Sequence, residues 1–336
     1  MQRRFWLIGS IVVCAAVGLS LDGMAQPRTR SCPPGTPRDG QGYCLVAAPA
    51  PRPPGTTKRR RGAGGPGPAS ARPASGGACP PNMDAIPSGT FWMGEADGEG
   101  EADEHPQTRV TLSAYCLDRT EVTVGAYQAC VSSGSCPPIP TTVDWAGISD
   151  EQRTNGNSWC NGSRADRLTH PVNCVNWTMA TTYCGWSGGR LPTEAEWEFA
   201  ARGPEGRTFP WGESEPGPGL LNAAGGESPF ANKLYQGSDG FPGTAPVGSF
   251  PAGASVYGAL DLAGNVFEWT SSRYGAYPGG SVTNPGGPSS GEVRVSRGGA
   301  FSSYARARVR GAYRYWYTAS DRRNIVGFRC ARGVPR

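Results

Sequence analysis

The chain has 336 residues, of which 50 are Gly, 32 are Pro and only 37% are hydrophobic, so loops, turns and short strands are expected in place of long helices. Its formal net charge of +5 is unevenly spread. Residues 26–78 hold nine Lys or Arg against one Asp and residues 1–25 two Arg against one Asp, which leaves 21 basic and 25 acidic residues in 79–336, so the basic balance belongs to a tail and not to the folded part.

Residues 1–25 read as a secretory signal: Arg3 and Arg4 precede the apolar run Phe5 to Leu21, and Gly23, Met24 and Ala25 resemble a small-residue cleavage site. An uncleaved membrane anchor is the alternative; the run is short for that role. The expected location is therefore secreted or periplasmic, which argues against a nucleic-acid partner. Ten of the 11 cysteines lie beyond this segment, as a disulfide framework in an oxidising compartment requires.

Residues 26–78 are rich in Pro, Gly, Ser and Arg and have little apolar surface to bury, which marks a disordered linker. Cys32 and Cys44 bracket a Pro/Gly turn inside it and are candidates for a local staple. The run "KRRRG" at 58–62 is a candidate contact with anionic polymers of the cell envelope, a solvated charge run being the plainer reading.

From Cys79 the texture changes. "FWMG" and "TRVTLSAYCLDRTEVT" alternate apolar and polar residues as strands do. "TVGAYQACV" and "NWTMATTYCGWSG" carry helical spacing, the second capped by Asn176 or Thr178. "LPTEAEWEFAARG" predicts a helix with Thr193 and Glu196 as a capping box and Gly203 as its stop. No internal repeat appears. His105 and His170 stand far apart, each before a proline, and no C-x-x-C pair occurs, so clustered His or Cys metal sites have no support.

"SGTFWMG", "LDRTEVTVGAYQACV", "GRLPTEAEWEFAARG", "TAPVGSFPAGASVYGALDLAGNVFEWT", "SRGGAFSS" and "NIVGFRCAR", in this order, resemble the formylglycine-generating enzymes of the sulfatase-modifying-factor family. The resemblance covers about residues 80–333 and implies one large α+β domain over 79–336, low in regular secondary structure and related to C-type lectins. The family's enzyme oxidises a sulfatase cysteine with copper held by two cysteines in a G-G-S-x-x-C frame. Laid on Gly298 and Gly299, that frame puts Ser303 and Arg308 where the thiols belong. Copper is not expected, because Cu(I) needs soft thiolates.

The resemblance further implies structural calcium at Asp261, Gly264, Val266 and Glu268, and a second calcium at Asn222, Ala223, Asp239 and Phe241; backbone capping by these acids is the plainer alternative. It also implies a disulfide between Cys184 and Cys330. Cys130 and Cys136 are close enough for a local bridge, while Cys79, Cys116, Cys160 and Cys174 admit three pairings. Arg306, Arg308 and Arg310 alternate with small residues, which predicts one face of a strand and a candidate anion site; pairing with nearby acids is the plainer reading. The sum is an exported, calcium-stabilised, non-catalytic binding or assembly module with a protein, peptide or anionic glycan as ligand. The alternative is a family oxidoreductase that converts a protein cysteine to formylglycine.

Overall fold

The computed structural model describes residues 78–335. The signal segment, all but the end of the linker, and the Cys32 and Cys44 staple lie outside the described residues.

Three small sheets and four short helices make a mixed architecture in which irregular chain predominates, as the Gly and Pro content requires. Strands β1 (Met83–Ile86), β4 (Tyr115–Asp118) and β10 (Ala331–Gly333) form one sheet, with β4 central and both neighbours antiparallel to it. The last strand of the described residues thus pairs with β4, on the side opposite β1. Strands β2 (Gly89–Met93), β3 (Thr108–Leu112) and β6 (Ser281–Thr283) form the second. The third has the order β8 (Arg314–Thr318), β7 (Val293–Arg297), β5 (Phe267–Arg273), β9 (Val326–Gly327).

The helices are α1 (Val124–Ser132), α2 (Asp150–Asn157), α3 (Trp177–Trp186) and α4 (Glu194–Arg202). Among the described residues no helix is long and apolar enough to cross a membrane. Three sit on the expected segments. Asn176 caps α3 by accepting from Met179 N at 2.9 Å. At α4 the capping box is complete: Thr193 Oγ1 accepts from Glu196 N at 3.1 Å, and Thr193 N donates to Glu196 Oε2 at 2.8 Å. Gly203 ends the helix at φ +65, where a Cβ is strained. Helix α2 was not expected, since it is polar throughout, yet Ser149 and Gln152 form a second capping box that was legible at the right spacing.

All nine residues of α4 are buried, its charged ones included. Each of its three glutamates takes an arginine from elsewhere in the chain, which neutralises charges that burial would otherwise make costly. Glu194 binds Arg314 at 2.6 and 3.0 Å, Glu196 binds Arg190 at 2.6 and 2.7 Å, and Glu198 binds Arg297 and, at 2.8 Å, Arg202. One core packs Phe91, Phe199 and Trp197 of α4 and the first two sheets; another packs Tyr127, Tyr183, Trp269 and Phe328 between α1, α3 and the third sheet.

Four disulfides brace these layers. Cys184 joins Cys330 and Cys130 joins Cys136, and the four cysteines left open pair as Cys79 with Cys116 and Cys160 with Cys174.

Candidate functional site

The turn after β7 begins with Gly298 and Gly299 at φ +97 and +78, conformations that L side chains rarely adopt. A Cβ on Gly299 would sit 2.7 Å from the carbonyl of Arg308, so the glycine lets the following turn fold back upon it. Ser303 closes that turn. Its Oγ accepts from Ala300 N at 3.0 Å, its N donates to Ala300 O at 2.8 Å, and its carbonyl accepts from Ala224 N at 3.0 Å. The residue is 1% exposed. It therefore works as a turn staple and lines no open surface, contrary to a groove position.

The strand expected through the three arginines is corrected: Arg306–Val309 is a short 3-10 turn, because the glycine-led fold-back leaves no neighbouring strand for it to pair with. The arginines consequently diverge. Arg306 binds Glu215 at 3.0 Å and lies over the Phe209 ring at 4.8 Å. Arg310 holds Glu104 at 2.6 and 2.9 Å and Glu95 at 3.1 Å in a buried cluster. Arg308, half-buried, lies over the Tyr304 ring at 5.0 Å and is the one of the three without an acid partner among the described residues, so the triplet forms no shared anion site.

Arg308 lines a hollow of about 410 Å³ with Glu101, Tyr304, Tyr313, Tyr315 and Trp316 among its walls. Tyr315 and Trp316 also line a second hollow of about 220 Å³ with Trp145 and Arg323. Together these make a shallow aromatic surface along β8.

Asp261 Oδ2 accepts from Gly248 N at 2.6 Å, and both oxygens of Glu268 accept from Arg329 at 2.7 Å, with Trp197 Nε1 adding a third bond at 2.8 Å. Beside them lies Glu121, which sequence reasoning passed over: it is 2% exposed and neither oxygen has a hydrogen-bond partner. Burial first, then the charges of Asp261 and Glu268, push its carboxyl well above the ordinary range. Glu121, Asp261 and Glu268 carry three negative charges when ionised against the single positive charge of Arg329. The other loop set abuts this one, since Asn222 O accepts from Asn265 N at 2.9 Å. There Asp239 accepts from Tyr235 Oη at 2.6 Å, Phe241 N at 2.9 Å and Ala223 N at 3.0 Å, while Asn222 Oδ1 is buried without a partner.

His170 meets Arg167 and Thr244 and His105 meets the carbonyl of Glu99, so both histidines order loops. Among the described residues no three His, Cys, Asp or Glu side chains converge as metal ligands, so calcium at either loop would need carbonyl or amide oxygens beside the carboxylates.

The sequence matches the Sulfatase-modifying factor enzyme 1-like domain over residues 71–334. It is 36% identical over 285 residues to the formylglycine-generating enzyme of Bos taurus, covering 75% of each chain. It is 33% identical over 285 residues to the inactive C-alpha-formylglycine-generating enzyme 2 of Bos taurus, covering 76% of this chain and 89% of that one. Among solved structures, PvdO from Pseudomonas aeruginosa is similar at a TM-score of 0.57 and 27% identity, over 75% of this chain and 94% of that one. Matched domain, relatives and the glycine-led turn agree, and the chain belongs to the sulfatase-modifying-factor family.

Proposed function

We propose that this family member is an exported, non-catalytic binding or assembly module, braced by disulfides and by calcium. The observation that carries the reading is the sulfur inventory. The frame positions for the two copper thiolates hold Ser303 and Arg308, and all eight cysteines of the described residues are bound in disulfides. A hydroxyl buried in a turn and a guanidinium are no donors for a soft metal, so the residues present do not fit copper and no oxidative step runs through them. A relative described as inactive, at 33% identity, is in keeping with this.

Export is supported by the four disulfides, which persist in oxidising compartments. Calcium is supported by the orphaned Asn222 Oδ1 beside Asp239, and by the buried Glu121 carboxyl, which lacks a hydrogen-bond partner beside Asp261 and Glu268 and whose ionisation a divalent cation would offset. Residues Asn222, Ala223, Asp239 and Phe241 would hold one ion, and Asp261, Gly264, Val266 and Glu268 the other. When bound, calcium would supply charge compensation and loop cross-linking. The aromatic surface along β8 is where a ligand would be held.

The test is to mix the protein with Cu(I) and a peptide bearing a sulfatase-type cysteine, follow aldehyde formation by mass spectrometry, and record melting with calcium and with copper. No aldehyde, a melting temperature raised by calcium and none raised by copper is the expected result. Aldehyde formed above the protein-free control overturns the reading in favour of the oxidoreductase.

A further inference from the structure

Strand β8 ends the four-stranded sheet, and among the described residues no strand or isolated bridge pairs with its outer edge. The hydrogen-bonding phase follows from its neighbour. Val293 O accepts from Tyr274 N at 3.1 Å and Val295 O accepts from Thr270 Oγ1 at 3.1 Å, both on the β5 side of β7. Alternation therefore turns the peptide groups of Arg294 and Ser296 toward β8, where they face Tyr317 and Tyr315. The peptide groups of Arg314, Trp316 and Thr318 must then point outward. Thr318 O fits this phase, since it accepts from Asp321 N in the following turn. The amide and carbonyl of Trp316 make no bond to a loop or turn among the described residues, and β8 has no sheet partner other than β7 to receive them.

Natural sheets shield such edges with Pro, Lys, a bulge or a covering loop. Strand β8 reads Arg-Tyr-Trp-Tyr-Thr, pairs with β7 in unbroken register, and buries its one charge against Glu194. Tyr315 and Trp316 stack with ring centroids 6.5 Å apart and are 38% and 46% exposed, so the strand presents aromatic surface beside its free edge. The two hollows share these residues and extend to either end of the strand.

We propose that β8 receives an extended segment of a partner polypeptide as an added strand, its backbone bonded to the outward peptide groups around Trp316 and a carboxylate side chain set beside Arg308. Strand addition draws affinity from main-chain bonds and selectivity from pockets for alternate side chains, which the two hollows provide. Arg308 has no acid partner among the described residues and is held over Tyr304, while Asp103 in the same hollow is engaged by the Tyr274 hydroxyl at 2.7 Å. One placed carboxylate is therefore favoured over a uniformly acidic segment. The proposal rests on the reading of the domain as a binding module and names its partner class.

The experiment pans random peptides of about 12 residues, displayed on phage, against the protein and measures the best binder by fluorescence anisotropy. Trp316→Pro deletes an outward N–H and leaves the ladder to β7 intact. It is expected to weaken binding about tenfold or more, and Arg308→Ala several-fold. Single backbone N-methylation along the peptide, tested on the wild-type protein, is expected to abolish binding at every second residue. That scan decides the matter if Trp316→Pro fails to fold. Failure to recover any peptide, including the case where only a polysaccharide binds, overturns the proposal, as does a methylation scan without two-residue period or undiminished binding to a folded Trp316→Pro. A cysteine in the bound peptide converted to aldehyde would instead sink the non-catalytic reading and leave the strand addition to be judged by the scan.

Discussion

Arg329 grips Glu268 through two parallel hydrogen bonds of 2.7 Å, and both side chains are fully buried. The same guanidinium donates to the carbonyls of Asp118, Arg119 and Leu260, so one residue near the C-terminus ties β4, β5 and the intervening loop. Replacing Arg329 with Met leaves Glu268 charged and unpaired beside Glu121 and Asp261. A loss of about 3–5 kcal/mol is expected in urea unfolding; a loss below about 1 kcal/mol would mean that the pair contributes little.

The Cys184–Cys330 bond closes a separation of 146 residues, for which chain entropy assigns roughly 5 kcal/mol. The double replacement Cys184→Ser with Cys330→Ser is expected to cost about 3–5 kcal/mol, and the Cys130→Ser with Cys136→Ser pair, closing a separation of 6, clearly less. Urea denaturation of the two variants side by side checks the order.

Glu121 gives a prediction with a sign. Its carboxyl titrates above the ordinary value in the folded state, so folding takes up protons, and stability falls as pH rises from the ordinary value through the raised one. Glu121→Gln removes that cost. Without calcium it is expected to stabilise by about 1–2 kcal/mol at pH 8 and by little at pH 4. Melting curves at the two pH values check this, and equal effects at both would contradict it.

His170 works in the opposite direction. Burial first, then the neighbouring Arg167, lowers it from 6.5 to about 4, so the folded state holds fewer protons than the unfolded chain between these values. The stability it permits is complete above its ordinary value and is lost as pH falls from 6.5 toward about 4. His170→Gln should flatten that part of the pH profile, measured by urea unfolding at fixed intervals of pH.

Much of the frame was legible because local chemistry dictated it. Thr193 with Glu196, Asn176 and Gly203 announce helix ends through single hydrogen bonds or a single φ value, and strand alternation around 108–118 follows from one buried face. The family resemblance rests on motifs such as "GRLPTEAEWE", and the sequence alone sets Ser303 and Arg308 at the thiol positions. Helix α2 was missed although Ser149 and Gln152 carried its cap, since no apolar period marked it.

The sequence by itself determined which atoms are available: sulfur absent from the frame positions, an acidic domain behind a basic tail, and carboxylates in the loops at 222–268. Only the tertiary structure decided where those atoms meet. The Gly299 turn converts Arg306, Arg308 and Arg310 from an alternating strand into three diverging side chains, and pairing partners distant in sequence, Glu215 for Arg306 and Glu104 for Arg310, absorb two of their charges. The disulfide pairing, the exposure of β8 and the crowding of Glu121 against Asp261 and Glu268 likewise depend on contacts between remote segments. Spacing along a chain fixes periodicity and caps, whereas charge compensation and an open sheet edge are set by which segments fold against each other.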